Sequence, residues 1–259
     1  MRTLIVVPTY DEAESIRSII ARIRASVPLA QVLIVDDASP DGTGSIADEL
    51  AAADDAVRVL HREGRSGLGT AYLEGFAIAA AEAFDAVVEI DADGSHDPAE
   101  LPAMLDLLER KGTDLVIGSR WVPGGSVVHW PWLRRAISRS GNRYARWMLR
   151  SRIRDLTAGF RAYRVSALNG LDRAGVSSQG YCFQVELAWR IELAGGGVVE
   201  HPIVFVERAE GRSKMHSGIV AEALVRVTGW GIAARFGRTP RRVSTAPATE
   251  EPVAEEPGL

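Results

Sequence analysis

Residues 86–98 read AVVEIDADGSHDP, a mostly apolar, β-branched run that ends in two aspartates. A continuous apolar run is typical of a strand buried on both faces of a parallel sheet. Pro98 suits the first turn of a helix, which is predicted to extend to Lys111. Asp91 and Asp93 therefore follow a predicted strand at its carboxyl end, where open α/β sheets bind ligands.

The same alternation of strand and helix runs through the first half of the chain. Further apolar strands are predicted at residues 4–7, 32–35, 57–60 and 115–118. Helices are predicted at residues 14–23, 45–53 and 70–84. This order indicates an α/β fold with a mostly parallel sheet flanked by helices. A chain of 259 residues, 46% of them hydrophobic, is long enough for a sizeable core.

The acidic residues after the strands suit metal and nucleotide binding, although each has a simpler interpretation. Two carboxylates such as Asp91 and Asp93 can bind Mg²⁺ or Mn²⁺, but Asp-x-Asp is also common in solvated turns. A second cluster at residues 36–42, DDASPDG, is either a turn or a contact to a base or ribose through Asp37. The loop at residues 64–69, GRSGLG, lacks the spacing of a P-loop.

Basic charge is concentrated in residues 129–164, which contain ten arginines and one acid. This segment carries a charge of +9, whereas the whole chain carries −4. Such clustering indicates a polyanionic partner, which can be a nucleic acid, an anionic membrane or a phosphorylated ligand. Composition alone does not choose among them.

Two long amphipathic helices are predicted near residues 133–150 and 219–236. The first has apolar residues on one side and a stripe of arginines on roughly the opposite side. The apolar side is Leu133, Ile137, Tyr144, Trp147 and Met148, and the stripe is Arg135, Arg139, Arg143, Arg146 and Arg150. Either the apolar side faces the core, or the helix lies on an anionic membrane. The second helix, which we expect Gly229 and Gly231 to interrupt, suits core, membrane or subunit contact.

The composition favours a protein that stays in a reducing compartment without crossing a membrane. We find no apolar run of the about 20 residues that a spanning helix needs. The first residues lack the pattern of a signal peptide, and the single cysteine, Cys182, excludes an intrachain disulfide. Residues 243–259 contain three prolines and four glutamates without apolar periodicity, so we expect a disordered tail.

Seven motifs, in order along residues 4–218, resemble those of the polyprenol (dolichyl) phosphate mannosyltransferases of glycosyltransferase family 2. They are VVPTYDE at 6–12, VDDASPDGT at 35–43, GLGTAY at 67–72, DADGSHDP at 91–98, VIGSR at 116–120, DLTAGFRAY at 155–163 and FVERAEGRSK at 205–214. The resemblance implies a GT-A (Rossmann-like) fold with C-terminal amphipathic helices. It also implies inverting transfer of mannose from GDP-mannose to polyprenyl phosphate, with Mg²⁺ or Mn²⁺ as cofactor.

The resemblance also implies roles for individual residues. The guanosine contacts are Pro8, Tyr10, Glu12, Val35 and Asp37. The contacts to the sugar nucleotide and its metal are Asp91, Ala92 and Asp93, with Asp93 the principal ligand. Ser95 stands at a further ligand position, where relatives can carry an amide. Arg120, Arg208 and Lys214 match basic donor-site positions, and Arg134 matches a position that meets the acceptor phosphate. The residues expected to act in catalysis are Asp93, Arg120 and Arg134.

On this basis we expect a catalytic domain at residues 1–236, with the two amphipathic helices at a membrane interface, and a tail at residues 237–259. The enzyme would be peripheral on the cytoplasmic face of the cell membrane, attached by these helices, by a separate integral membrane partner, or by both. Three alternatives remain at this point. They are transfer from another sugar nucleotide such as UDP-glucose, a catalytically inactive sugar-nucleotide module, and a nucleic-acid-binding protein, which would lack a recognised binding module.

Overall fold

A seven-stranded sheet forms the centre of the protein in the computed structural model, which describes residues 1–65, 67–171, 181–207 and 217–237. The strands are β1 (Thr3–Thr9), β2 (Gln31–Asp36), β3 (Val57–His61), β4 (Ala86–Glu89), β5 (Leu115–Ser119), β6 (Ser126–Val128), β7 (Arg161–Arg164), β8 (Val198–Pro202) and β9 (Val204–Val206). The helices are α1 (Ile16–Ser26), α2 (Thr43–Ala53), α3 (Leu68–Ala81), α4 (Leu101–Glu109), α5 (Trp132–Leu149), α6 (Val165–Asn169), α7 (Tyr181–Leu193) and α8 (Ser217–Arg235).

The strand order of the main sheet is β3-β2-β1-β4-β7-β5-β8. β7 is antiparallel to both of its neighbours, and every other pairing is parallel. β6 and β9 form a separate two-stranded parallel sheet. The predicted α/β architecture with a mostly parallel sheet is confirmed, although the sequence had indicated only the first five strands of the main sheet by their pattern.

The core consists of two apolar layers, one on each face of the sheet. Successive residues of β1 point to opposite faces, so Ile5 and Val7 join one layer while Leu4 and Val6 join the other. The first layer is completed by four buried isoleucines of α1, at helical spacing, which are Ile16, Ile19, Ile20 and Ile23. The second is completed by α3, α7 and the C-terminal half of α5.

Helix α5 packs only part of its predicted apolar side in the core. Met148 is buried, but Leu133, Ile137 and Trp147 expose 54%, 47% and 68% of their surface. The core-facing interpretation is therefore wrong for these three side chains. The reason is that α5 packs through a different set of residues, which are Asn142, Ala145, Met148 and Leu149.

Helix α8 is continuous through Gly229 and Gly231, so the predicted interruption is also wrong. A Cβ atom at Gly231 would lie 2.6 Å from the carbonyl oxygen of Met148, so glycine is needed for α8 to approach α5 this closely. The Tyr144 hydroxyl is 2.5 Å from the Thr228 hydroxyl and adds a polar contact between the same two helices. None of the described helices combines the length and the apolar character needed to cross a bilayer.

The close packing of α3 on β1 gives a testable prediction at Gly75. A Cβ atom there would lie 2.6 Å from Cγ2 of Val6, a β-branched side chain fixed in the core. We expect Gly75→Ala to lower the free energy of unfolding by about 1–3 kcal/mol, as overpacking does in dense cores.

Denaturant titration measures this change, with Gly141→Ala in α5 as the matched control. Gly141 has nothing within 4 Å of its ideal Cβ, so alanine there should raise stability by up to about 1 kcal/mol. Equal stabilities of the two variants would contradict the close contact between α3 and β1.

Candidate active site

The carboxyl ends of β1 and β2 are joined by hydrogen bonds that fix the acidic turn after β2. The Thr9 hydroxyl donates to Oδ1 of Asp36 at 3.0 Å, and the backbone N–H of Asp37 donates to the Thr9 carbonyl at 3.1 Å. Asp36 also accepts from the Ser39 hydroxyl at 2.6 Å and from its backbone N–H at 3.2 Å. Asp36 thus shapes the turn and leaves Asp37 as the next carboxylate along the sheet edge.

Asp37 holds the glycine-rich loop that follows β3. Its Oδ1 accepts from Arg62, and its Oδ2 accepts from the backbone N–H of Gly67 at 3.1 Å. Arg62 also donates to the Thr70 hydroxyl at 2.8 Å, which ties the start of α3 to the same cluster. The sequence had singled out Asp37 as a nucleotide contact, and the structure adds a role in anchoring this loop.

Tyr10 and Glu12 lie in the segment after β1, beside the same edge. The guanidinium carbon of Arg65 lies 4.3 Å from the centre of the Tyr10 ring, a cation–π contact. Glu12 donates its backbone N–H to the Thr43 hydroxyl at 3.0 Å and accepts from the Ser15 hydroxyl at 3.1 Å. These bonds fix the segment against the start of α2.

The remaining residues of the predicted guanosine group also lie at this edge. Pro8 of β1 stands opposite Val35 of β2 in the strand register, and Val35 is fully buried.

Asp41 accepts from the backbone N–H groups of Ala13 and Thr43 and from the Thr43 hydroxyl. Although burial raises the pKa of Asp41, these hydrogen bonds outweigh it and lower the pKa below its usual value.

The aspartates after β4 form a compact loop. Oδ1 of Asp93 accepts from the backbone N–H of Ser95 at 3.0 Å. Asp91 lies 3.4 Å from the Tyr72 hydroxyl and 3.4 Å from Nε2 of His96, and its side chain is one-third exposed. Ala92 is buried between the two carboxylates. The predicted metal ligands Asp91, Asp93 and Ser95 therefore lie in one loop beyond the sheet.

The donor set of this loop suits Mg²⁺ or Mn²⁺ bound together with a diphosphate. No group of three or more His, Cys, Asp or Glu side chains in the described ranges is placed to hold a metal. Mg²⁺ is commonly bound through one or two carboxylates, with substrate phosphates completing the coordination. Ser95 is buried, and its hydroxyl has no hydrogen-bond partner among the residues that the structure describes. Two carboxylates with an unsatisfied hydroxyl beside them fit such a shared site.

A buried histidine supports the loop from behind. His96 is 2% exposed and lies between the rings of Phe160 and Phe205, each 5.2 Å from the imidazole. The backbone N–H of Val206 donates to the Ser95 carbonyl at 3.1 Å, so β9 holds the loop through both backbone and side chain. No role was assigned to His96 from the sequence, so its support of this loop was missed.

Glu89 is fully buried at the end of β4, two residues before Asp91. Burial raises the pKa of Glu89 to about 8, although Arg161 opposes the rise. Glu89 is therefore largely protonated at neutral pH. This limits the negative charge at the base of the site.

Arg120 is anchored by a buried ion pair with Asp155. Its Nε and Nη2 donate to the two carboxylate oxygens at 2.8 and 2.7 Å, and its backbone N–H donates to Oδ2 at 2.9 Å. Burial opposes ionisation of Asp155, but the Arg120 guanidinium outweighs it and lowers the pKa of that carboxyl below its usual value. Removing either partner would leave a buried charge uncompensated, which typically costs about 3–5 kcal/mol.

Aromatic rings surround the Arg120 guanidinium and extend to two arginines of α5. The rings of Trp121, Trp130 and Phe205 have centres between 5.5 and 5.8 Å from its central carbon. Arg134 stacks on Trp130 at 4.2 Å, and Arg139 on Trp121 at 4.8 Å. We call the three rings with Arg120, Arg134 and Arg139 the arginine–aromatic cluster. It adjoins the loop that carries Asp91 and Asp93, because Phe205 also contacts His96.

The structure thus collects most of the predicted site residues into three neighbouring groups. Pro8, Tyr10, Glu12, Val35 and Asp37 lie at the ends of β1 and β2, while Asp91, Ala92, Asp93 and Ser95 follow β4. Arg120 and Arg134 belong to the arginine–aromatic cluster beside the second group. Arg208 and Lys214 lie outside the described residues, as does the predicted tail from residue 238 onward.

Several residues of this region were not assigned a role from the sequence. Arg62 and Arg65 contact Asp37 and Tyr10, but nothing in their spacing predicts those contacts. Asp155 was visible in the sequence as the single acid among ten arginines. That isolation was a usable signal, because a lone acid in a basic segment commonly pairs with one of the arginines when it is buried.

Comparison with known proteins places the chain in an enzyme family. The family model for glycosyl transferase family 2 matches residues 4–171 of the chain. A polyprenol monophosphomannose synthase from Mycolicibacterium smegmatis is 49% identical over 92% of this chain and 89% of its own length. An undecaprenyl-phosphate mannosyltransferase from Micrococcus luteus is 51% identical over 91% of this chain and 96% of its own length.

Solved structures confirm the GT-A fold. Glucosyl-3-phosphoglycerate synthase from Mycobacterium tuberculosis, in complex with Mn²⁺, UDP and phosphoglyceric acid, has a TM-score of 0.63 at 22% identity, over 93% of this chain and 80% of that one. A mannosyltransferase from Pyrobaculum calidifontis, in complex with GDP-mannose and Mn²⁺, has a TM-score of 0.59 at 21% identity, over 92% of this chain and 66% of that one. With the family match and the two close relatives, the chain belongs to glycosyltransferase family 2.

Proposed function

We propose that this enzyme transfers mannose from GDP-mannose to a polyprenyl phosphate, with inversion, to give polyprenyl phosphate β-mannose and GDP. The observation that carries the proposal is the 49% and 51% identity, over about nine-tenths of the chain, to proteins named for polyprenyl phosphate mannosylation. The site residues supply what that reaction needs. The groups at the ends of β1, β2 and β4 suit a nucleotide diphosphate, and the arginine–aromatic cluster suits a phosphate acceptor.

The donor lies along the carboxyl ends of β1, β2 and β4. Guanosine is placed by Tyr10, Glu12 and Asp37, with Pro8 and Val35 forming the floor under them. An aromatic ring and carboxylates suit guanine, which has a π face and N–H donors. Arg208 and Lys214 supply positive charge that contacts the diphosphate.

Asp93 and Asp91 would hold a divalent cation, with Ser95 as a third oxygen. When bound, Mg²⁺ or Mn²⁺ supplies positive charge that stabilises the leaving diphosphate. The chain positions the two carboxylates at the end of a rigid buried strand and keeps Glu89 of that strand largely neutral. That arrangement keeps the ligands in place without adding a third negative charge.

The acceptor approaches on the side of the arginine–aromatic cluster. A phosphate monoester has a second pKa near ~6, so it is mostly dianionic at neutral pH and needs no strong base. Its main barrier is repulsion from the donor diphosphate, which Arg134 and Arg120 offset by binding and orienting it. Arg120 is held rigidly by Asp155, so the position of its guanidinium is fixed at this side of the site.

The bond changes balance without a proton transfer. An acceptor phosphate oxygen forms a bond to the anomeric carbon of mannose. The bond between that carbon and the β-phosphate oxygen of GDP breaks, and its electron pair stays on that oxygen as GDP leaves. Attack opposite the leaving group converts an α-linked donor to a β-linked product. Charge moves from the acceptor to the leaving diphosphate, so preorganised cations on both sides lower the barrier.

Helices α5 and α8 attach the enzyme to the membrane surface that holds its acceptor. Four apolar side chains of α5 are exposed alongside arginines, and three of α8 and the residue after it are exposed near them. They are Trp132, Leu133, Ile137 and Trp147 of α5, Leu224, Val225 and Ile232 of α8, and Phe236 directly after α8. Exposed tryptophan with basic residues is the composition of helices that lie in an anionic interface. The enzyme is accordingly peripheral on the cytoplasmic face, and a separate integral membrane partner is compatible with this attachment.

Donor choice gives the first test of the function. We expect mannosyl lipid to form from GDP-mannose and a short polyprenyl phosphate, with kcat/KM on the order of 100-fold or more above that for UDP-glucose. Product analysis by mass spectrometry and NMR checks the identity and β-configuration of the lipid. Failure to form mannosyl lipid from GDP-mannose would overturn the proposal.

The carboxylate after β4 gives the second test. Asp93→Asn removes a charged ligand, so we expect kcat to fall by about 100-fold or more and the dependence on added Mg²⁺ or Mn²⁺ to weaken. Asp97→Asn is the matched control, because Asp97 is an exposed carboxylate of the same loop. Its side chain caps the turn that follows by accepting from the backbone N–H of Ala99, and asparagine caps such a turn equally well. Unchanged transfer by Asp93→Asn would remove Asp93 from the metal site.

Membrane attachment gives the third test, by co-sedimentation with vesicles that contain phosphatidylglycerol. Trp147→Ala removes a 68% exposed ring from α5, and we expect about tenfold weaker binding from the lost apolar burial. Leu29→Ala is the control, since Leu29 is 98% exposed outside both helices. Equal binding by both variants, or no preference for anionic over zwitterionic vesicles, would contradict attachment through α5.

A further inference from the structure

Strand β9 links the loop that carries Asp91 and Asp93 to the arginine–aromatic cluster. Its partner β6 pairs with it from Ser126 to Val128, and the ladder continues one residue further, because the backbone N–H of Glu207 donates to the Val128 carbonyl at 3.2 Å. Phe205, in the middle of β9, contacts both His96 and Trp130. β9 is therefore fixed against the metal-binding loop on one side and the arginine–aromatic cluster on the other.

Glu207, the residue after β9, is ion-paired with Arg134. The Oε1 atom of Glu207 accepts from Nη1 of Arg134, while the guanidinium plane stacks on Trp130 at 4.2 Å. Both side chains are a little under one-third exposed, at 28% and 29%. A carboxylate at one edge and a ring on one face together restrict a long, flexible side chain to one orientation.

This restriction matters because an unconstrained arginine loses rotamer entropy when it is fixed by a ligand. Glu207 engages one of the five N–H donors of the Arg134 guanidinium, and the other donors remain to be shared with a phosphate. A carboxylate in this position can either position the arginine or compete with an arriving phosphate for it. The backbone bond of Glu207 to Val128 favours positioning, since it holds the base of the side chain in place.

We infer that Glu207 is a positioning residue for the acceptor phosphate, which acts by holding Arg134 over Trp130. The inference rests on the proposed function, in which Arg134 meets that phosphate. It extends the function by assigning to Glu207 a part in acceptor binding. It also identifies β9 as the structural link between the acceptor arginine and the loop of Asp91 and Asp93.

Steady-state kinetics with GDP-mannose and a short polyprenyl phosphate tests this inference. We expect Glu207→Ala to raise KM for the polyprenyl phosphate about tenfold, while kcat and KM for GDP-mannose stay close to those of the unmodified enzyme. Glu207→Gln keeps an acceptor oxygen for Arg134, so it should recover much of the lost acceptor affinity. Adding Glu207→Ala to Arg134→Ala should have no further effect, because the two residues act as one unit.

Glu49→Ala is the matched control, because Glu49 forms an exposed ion pair with Arg17 away from this cluster and should leave both KM values unchanged. A lower acceptor KM in Glu207→Ala and Glu207→Gln would mean that the carboxylate competes with phosphate, and would overturn the inference. An unchanged acceptor KM, or an equal rise in both KM values, would also overturn it. Absence of mannosyl transfer by the unmodified enzyme is a separate outcome, which would defeat the proposed function itself.

Discussion

Parallel pairing of β1 with β2 and β4 is the constraint on which the rest of the site depends. Because the three strands run in the same direction, the residues that follow each of them emerge at one edge of the sheet. The side chains of Asp37 and Asp93 come from segments more than fifty residues apart, yet both lie at that edge. The strands are buried on both faces, so this edge is held rigidly and its carboxylates need little reorganisation to bind a ligand.

On the side of Arg120, the site depends on a buried ion pair. The loop before β7 carries Asp155, which pairs with Arg120, and Arg161 fixes the same loop through carbonyl groups, including that of Leu156 at 2.7 Å. Such pairs contribute little net stability, but they specify one arrangement, because breaking them is costly. The arrangement here fixes the Arg120 guanidinium beside the carboxylate loop. Under the proposed function, it helps to hold two phosphorylated substrates of like charge close to each other.

Much of the proposed donor side was predictable from the sequence, because strand patterns and short motifs are local. Asp91 and Asp93 follow a recognisable strand, and the strand direction alone places them near Asp37. The proposed acceptor side was less predictable, since its contacts join distant segments. The pairing of Arg134 with Glu207 spans 73 residues, and ten arginines offered no basis for choosing a partner. Whether the apolar side of α5 faces the core or a membrane could not be predicted, for a different reason. Helical periodicity identifies an apolar face but does not show what covers it.

A structure of the enzyme with GDP and Mn²⁺, in which anomalous scattering locates the metal, is the most direct test of this site. We expect one Mn²⁺ between Asp91, Asp93 and the diphosphate, with the guanine base beside Tyr10. We also expect Arg134 to remain over Trp130 on the side away from the nucleotide. Mn²⁺ bound away from both aspartates, or GDP bound away from the ends of β1, β2 and β4, would contradict these expectations.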